Sequence, residues 1–147
     1  MAVPEVIQTM RLQLRQAVST DAETIFSSCG QDPEVSRYLT WRPVTSVDQT
    51  RSFLVERERL WLEGKSFAWA ITLTSSDRLV GMIEARITEE GVELGYVVAR
   101  RFWGQGIATE ATRAVIDWAL DDSSAIRIWP IPTLRTWPLP GCWRRPA

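Results

Sequence analysis

Apolar and polar residues alternate from Leu12 to Ala17 in the two-residue period of a strand, and Thr20-Asp21-Ala22-Glu23 then has capping-box spacing ahead of Ile25 and Phe26. The chain is therefore expected to open as strand then helix. After a polar break at Gly30 to Pro33, the stretch from Val35 to Pro43 mixes aromatics with arginine and ends in a helix-stopping proline, which predicts a short helix and a loop. Ser46 to Gln49 repeats the capping spacing. Val47, Leu54 and Trp61 recur at heptad intervals beside Phe53 and Leu60, and Gly64 supplies a stop, so an amphipathic helix is expected between them. From Phe67 the period changes to two. Phe67, Trp69, Ile71 and Leu73 share a face, Ser75 to Arg78 reads as a turn, and Leu79 to Ile87 and Val92 to Ala99 continue the alternation around Glu89-Glu90-Gly91. Three strands joined by short links predict an antiparallel meander. Gly104 to Gly106 then lead into a helix over Ile107 to Leu120, striped by Ala108, Ala111, Val115, Trp118 and Ala119, and Ala125 to Trp129 reads as a last short strand. The class is mixed α+β: a mainly antiparallel sheet with flanking helices.

Composition narrows the chemistry. At 147 residues, 45% hydrophobic and 24% charged, the chain has the balance of one domain with a substantial core. A formal charge of −1 gives no broad basic field, so nucleic acid and anionic membrane are not expected partners. No apolar run reaches membrane-spanning length and the N-terminus lacks a signal-peptide pattern, which makes the cytoplasm the expected location. The sequence has no histidine, which excludes Ser-His-Asp and Cys-His nucleophilic sites and histidine-based metal centres. Cys29 and Cys142 lie far apart without metal spacing and read as ordinary thiols, so no metal is expected. Acid and base work then falls to carboxylates, Tyr, Lys, Cys or water.

One segment carries a chemical signal. Tyr96 to Ala111 puts a glycine-bearing turn between a strand and a helix N-terminus. Glycines allow the backbone to turn tightly, and the first N–H groups of a helix lack intrahelical acceptors and lie at its positive end, so the turn suits a phosphate. A G-x-G at a helix start is also compatible with a plain strand-helix connection. The wider pattern is more specific: Arg101, Gly104, Gly106, Ala108, Thr109, Glu110 and Ala111 form R-x-x-G-x-G-x-A-T-E-A after a strand ending Gly-Tyr-Val-Val. This resembles the acetyl-coenzyme A loop of GCN5-related N-acetyltransferases (GNAT). Asp32-Pro33-Glu34-Val35 with Tyr38-Leu39-Thr40-Trp41-Arg42-Pro43 is similar to the RimJ/RimL branch, which acetylates N-termini of ribosomal proteins and related amines. The resemblance covers residues 10 to 129.

That resemblance implies the GNAT acyltransferase fold, with acetyl-CoA as co-substrate and a primary amine as acceptor. It implies that the pantetheine arm runs along Tyr96, Val97 and Val98, and that the pyrophosphate is held by the loop from Arg101 through Gly104, Gln105, Gly106, Ile107, Ala108 and Thr109. A backbone N–H near Val97 or Val98 would polarise the thioester carbonyl. Only a neutral amine attacks a thioester, so a proton acceptor is needed near that strand; Glu93 is the first candidate and Glu84 the second, the alternative for each being a solvated face or a salt bridge to Arg86. Tyr38, Trp41 and Arg42 are the candidates to wall the acceptor pocket, or else simple packing. Glu110 is expected to serve the first turn of its helix, where negative charge is favoured.

After Trp129 the family pattern breaks. Residues 130 to 147 form a Pro- and Trp-rich tail with neither helical nor strand period, where the family has another helix and two strands. Back-translation of Pro132 to Ala147, read from each third codon base, permits D-A-E-N-V-A-S-A-R-V-L-E-K-A-G, similar to the family's N-x-x-S-x-R-x-L-E-K-x-G helix. Trp137-Pro138 forces the Ala and Cys142-Trp143 the Leu. The expectation is a frameshift just after Trp129, giving an incomplete acetyltransferase domain at 1–129 and an irregular tail at 130–147; a natural divergent tail is the alternative. The missing helix flanks the coenzyme arm in the family and offers a hydroxyl to the departing thiolate. Its loss would favour a catalytically impaired, coenzyme-binding or oligomerising remnant, and an exposed sheet edge would favour a homodimer. An unrelated phosphate-binding domain is the third reading.

Overall fold

The computed structural model describes residues 3–30, 46–89, 91–121 and 128–130. Its elements in chain order are β1 (Val6–Gln8), β2 (Leu12–Gln16), a 3-10 turn (Ser19–Asp21), α1 (Ala22–Ile25) widening to π geometry over Phe26–Gly30, α2 (Val47–Leu62), β3 (Ser66–Leu73), β4 (Leu79–Thr88), β5 (Gly91–Val98), α3 (Ile107–Asp121) and β6 (Ile128–Pro130). The segment predicted as helix and loop at residues 35–43 lies outside the described residues, as do Cys142 and the tail beyond Pro130.

The strands form one sheet in chain order, β1-β2-β3-β4-β5-β6. All pairings are antiparallel except β5 with β6, which is parallel and reached through α3. The expected meander is β3-β4-β5. β1 was not expected: three residues are too short to show an alternation, and the strand is specified by its partner β2, with Ile7 opposite Leu14.

Alternation along the strands divides the core into two layers. Leu12, Leu14, Trp69, Ile71, Ile83, Leu94, Tyr96 and Val98 face α3, which presents Ile107, Ala111, Val115 and Ala119 at helical spacing. Ala68, Ala70, Met82 and Val97 point the other way, beneath Ile25 of α1 and Leu54 of α2. Trp69 is fully buried and its indole N–H donates to the carbonyl of Pro4 at 3.0 Å. The rings of Trp61 and Trp118 meet it nearly edge-on at 5.4 Å each, and Phe67 lies tilted 6.4 Å away. Such aromatic pairs contribute about 0.5–1.5 kcal/mol each beyond the area they bury.

Two helix ends follow the sequence and one start does not. The Ser46 hydroxyl accepts the Gln49 N–H at 3.3 Å, and Gly64 leaves α2 with φ +72°. Before α1, the closing carboxylate belongs to Asp21, which accepts the Val18 N–H at 3.0 Å and both terminal nitrogens of Arg15 at 2.8 and 2.9 Å. The carboxylate thus closes the 3-10 turn on Val18 and makes no side-chain cap to α1, and the bidentate arginine holds it in that position. The hydrogen bond and charge of Asp21 raise the Arg15 pKa against the opposing effect of burial.

Candidate acetyl-coenzyme A site

The two neighbours of β5 are described over different lengths: among the described residues β6 pairs with Val92, Glu93 and Leu94, while β4 stays paired with β5 as far as Val98. The direction of the backbone groups beyond Leu94 follows from the register. The Ala99 N–H donates to the Val80 carbonyl, so by antiparallel alternation Val97 and Ala99 turn their backbone groups toward β4, while Tyr96 and Val98 turn theirs toward the opposite edge, on the β6 side. Two contacts agree. A Cβ built on Gly81 would lie 2.2 Å from the Val97 oxygen, which therefore faces β4, and the Val98 carbonyl accepts the Trp103 indole N–H at 2.7 Å from the other side.

This separates the two valines that sequence reasoning left together. Val97 has its N–H and carbonyl committed to β4 and can only offer a side-chain wall, on the α1/α2 layer. Val98, with Tyr96, turns its backbone groups to the β6 side, the direction a ligand along that edge requires.

The loop follows at once. Arg100–Phe102 form a 3-10 turn, the Arg101 guanidinium lies 5.2 Å from the Phe102 ring, and Gly104 and Gly106 both take φ +78°. That left-handed backbone strains any L side chain. Gly104 has open space where a Cβ would be, whereas a Cβ on Gly106 would meet Nη2 of Arg11 at 3.4 Å. The Glu110 N–H closes the first turn of α3 on the Gly106 carbonyl, which leaves the N–H groups of Ile107, Ala108 and Thr109 ahead of the helix's own acceptors. Ile107 contributes only backbone, because its side chain is in the core.

Glu110 does more than favour the helix start. Its carboxylate accepts the Thr9 hydroxyl, the Arg11 N–H at 2.9 Å and Arg11 Nε at 2.7 Å, while Arg11 Nη1 donates to the Gln105 carbonyl at 2.8 Å. Burial by itself pushes this carboxyl up, but the hydrogen bonds from Thr9 and Arg11, with the Arg11 charge, outweigh it and hold the group below the usual carboxylate range. Sequence reasoning missed Thr9 and Arg11, because nothing in local spacing ties them to a helix 99 residues away.

The two candidate proton acceptors have different surroundings. Glu84 sits 3.1 Å from Arg57 Nε of α2 as an ion pair without hydrogen-bond alignment, accepts the Ser66 hydroxyl at 2.7 Å, and lies 3.5 Å from Arg86. Glu93 faces Arg86 at 3.6 Å, with its side chain 31% exposed. By alternation it shares the α1/α2 face with Val97, three residues before Tyr96. Tyr38, Trp41 and Arg42 lie outside the described residues, and no cluster of three or more His, Cys, Asp or Glu that could hold a metal occurs among those described.

Comparison with known proteins agrees with this architecture. Residues 11–132 match the family profile described as Acetyltransferase (GNAT) domain. The uncharacterized N-acetyltransferase p20 of Bacillus licheniformis is 31% identical over 127 residues, covering 84% of this chain and 71% of that protein. YoaA of Bacillus subtilis, an uncharacterized N-acetyltransferase, is 29% identical over 126 residues, with the same coverages of 84% and 71%. Among solved structures, RimL, a ribosomal L7/L12 α-N-protein acetyltransferase in complex with coenzyme A, superposes with TM-score 0.77 at 21% identity, over 86% of this chain and 73% of that one. The microcin C7 self-immunity acetyltransferase MccE, in complex with acetyl-CoA and AMP, gives TM-score 0.77 at 19% identity, over 87% and 73%. With β5 leading through the glycine loop into α3 and the profile matched over residues 11–132, this chain belongs to the GNAT family of acetyl-CoA-dependent N-acetyltransferases.

Proposed function

We propose that the chain transfers acetyl from acetyl-CoA to a primary amine of the kind the RimJ/RimL branch uses, a protein N-terminus or a small amine. The observation that carries this is that β5, with Tyr96 and Val98 turning their backbone groups away from β4, runs directly into the glycine loop at the start of α3, so that one ligand can meet both. The donors present suit the co-substrate: a loop of two left-handed glycines for a diphosphate, and a strand edge for an amide-bearing arm. Acetyl-CoA supplies the thioester. The Val98 N–H stabilises negative charge developing on its carbonyl oxygen, and Glu93 removes the proton from the attacking amine. Glu84 is the second candidate because Arg57 and Ser66 already engage its carboxylate. The branch assignment rests on the Asp32 to Pro43 motif and is supported by the likeness to RimL.

Isothermal titration with acetyl-CoA tests the site, using Gly106→Glu against Gly106→Ala so that charge is separated from backbone strain. Binding by the parent, weakened in Ala and abolished in Glu, is the expected order. No binding by the parent refutes the reading. Binding without turnover of any peptide or amine supports the impaired remnant, and the frameshift reading of the tail is tested by resequencing the gene for a single-base change that restores the helix in frame.

A further inference from the structure

The geometry points to Arg11 as a positioning residue for the phosphate loop: with Glu110 it latches the β1–β2 connection onto Gln105 and Gly106 and fixes the direction of the loop's N–H groups. This rests on the reading of that loop as the coenzyme site.

The loop needs an external restraint. Gly104 and Gly106 both sit at φ +78°, and glycine has the most conformational freedom to lose. Among the described residues, its two chain neighbours apart, no heavy atom lies within 4 Å of where a Gly104 side chain would begin, so none of them packs against that position. Two polar anchors flank it instead. On the strand side the Trp103 indole donates to Val98. On the helix side Arg11 Nη1 donates to Gln105, its Nε and backbone N–H reach Glu110, and Nη2 lies over Gly106. The planar fork allows one side chain to hold a backbone carbonyl and a carboxylate together, which a lysine ammonium on a flexible stem does less well. Glycine at position 106 therefore has two causes, its left-handed φ and the room it leaves for the guanidinium.

The latch also settles an electrostatic conflict. A carboxylate in the first turn of a helix favours the helix but repels a diphosphate bound at the same end. Arg11 neutralises Glu110 at hydrogen-bond distance, and the Thr9 hydroxyl satisfies the same oxygen as the Arg11 N–H. The groove at this junction, about 620 Å³, is also lined by Arg113 and Asp117, a further opposite pair that adds no net charge.

The test is titration of acetyl-CoA into the parent, Arg11→Met, Arg11→Lys and Glu110→Gln, each with its thermal midpoint measured. Arg11→Met is expected to weaken binding about tenfold or more, because only a fraction of the released loop presents its donors. Arg11→Lys is expected to recover part of that loss at an unchanged midpoint, since it returns the charge without the fork. Parent-like affinity in Arg11→Met overturns the latch while leaving the coenzyme reading intact. Should Arg11→Met fail to fold, parent-like affinity in Arg11→Lys has the same force, because lysine returns the charge without the fork that holds Gln105 and Glu110 together. A parent that binds no acetyl-CoA overturns both.

Discussion

Replacing Gly81 by alanine should displace β5 where it leads into the glycine loop, without changing a residue of the proposed site. The added Cβ would lie 2.2 Å from the Val97 oxygen and 3.0 Å from the Val98 Cα, distances at which something must move. Both are backbone atoms, so no rotamer change relieves the clash, and β5 must shift away from β4. Overpacking typically costs about 1–3 kcal/mol, and a backbone collision belongs at the upper end, about 3 kcal/mol. With a urea m-value of about 2 kcal/mol/M, the unfolding midpoint should fall by about 1.5 M at unchanged m. Acetyl-CoA affinity should fall as well, because the displaced segment carries the Val98 N–H. Gly104→Ala is the control. It adds the same methyl at φ +78° but into open space, so its cost is only the left-handed strain of about 1–2 kcal/mol. Urea unfolding followed by circular dichroism reads both. A Gly81→Ala midpoint within about 0.3 M of the parent would refute the argument that β4 and β5 meet too closely there for any side chain.

Other expectations follow from the same structure. Trp69→Ala should cost about 3–5 kcal/mol in equilibrium unfolding, as it empties a fully buried site ringed by three aromatics and removes the hydrogen bond to Pro4. Glu93→Gln should lower kcat for amine acetylation by about 10²–10⁴-fold with little change in acetyl-CoA affinity, and parent-like turnover would remove Glu93 from the mechanism. Glu110 is held below its unfolded pKa, so its contribution to stability is present above that unfolded value and is lost as pH falls through the lower folded one. Acid unfolding of the parent should therefore show a stability loss that Glu110→Gln lacks, with Arg11 and Arg113 as the facing cations and Asp117 as the nearby anion.

Elements with a long, regular pattern were legible in the sequence. The alternation from Phe67 to Leu73 and the heptad spacing in Val47 to Trp61 yield β3 and α2 within a residue or two, because many side chains vote for the same face. The glycine loop was legible because its backbone conformation demands glycine at fixed positions. What escaped was set by partners far along the chain. β1 exists through β2, the Asp21 carboxylate turns back to Val18 and Arg15 instead of leaving a Thr20 cap on α1, and Arg11 meets Glu110 only after the sheet and α3 have packed. The choice between Val97 and Val98 was equally closed to sequence, since it depends on register, and a slip of one residue would exchange them.

The order of the strands bears on how the molecule assembles. From β1 to β5 every strand lies beside its neighbour in the chain, so the scaffold can zip up from its N-terminal side with short loop closures apart from the α1–α2 excursion. The parallel join to β6 is different, because it must wait for α3 to cross over and dock. Changes to the chain after α3 thus fall on the last-added edge, and five strands and the glycine loop are already specified before synthesis reaches them. Vectorial growth of this kind lets a lineage alter the far end of the sheet while keeping the meander and the glycine loop.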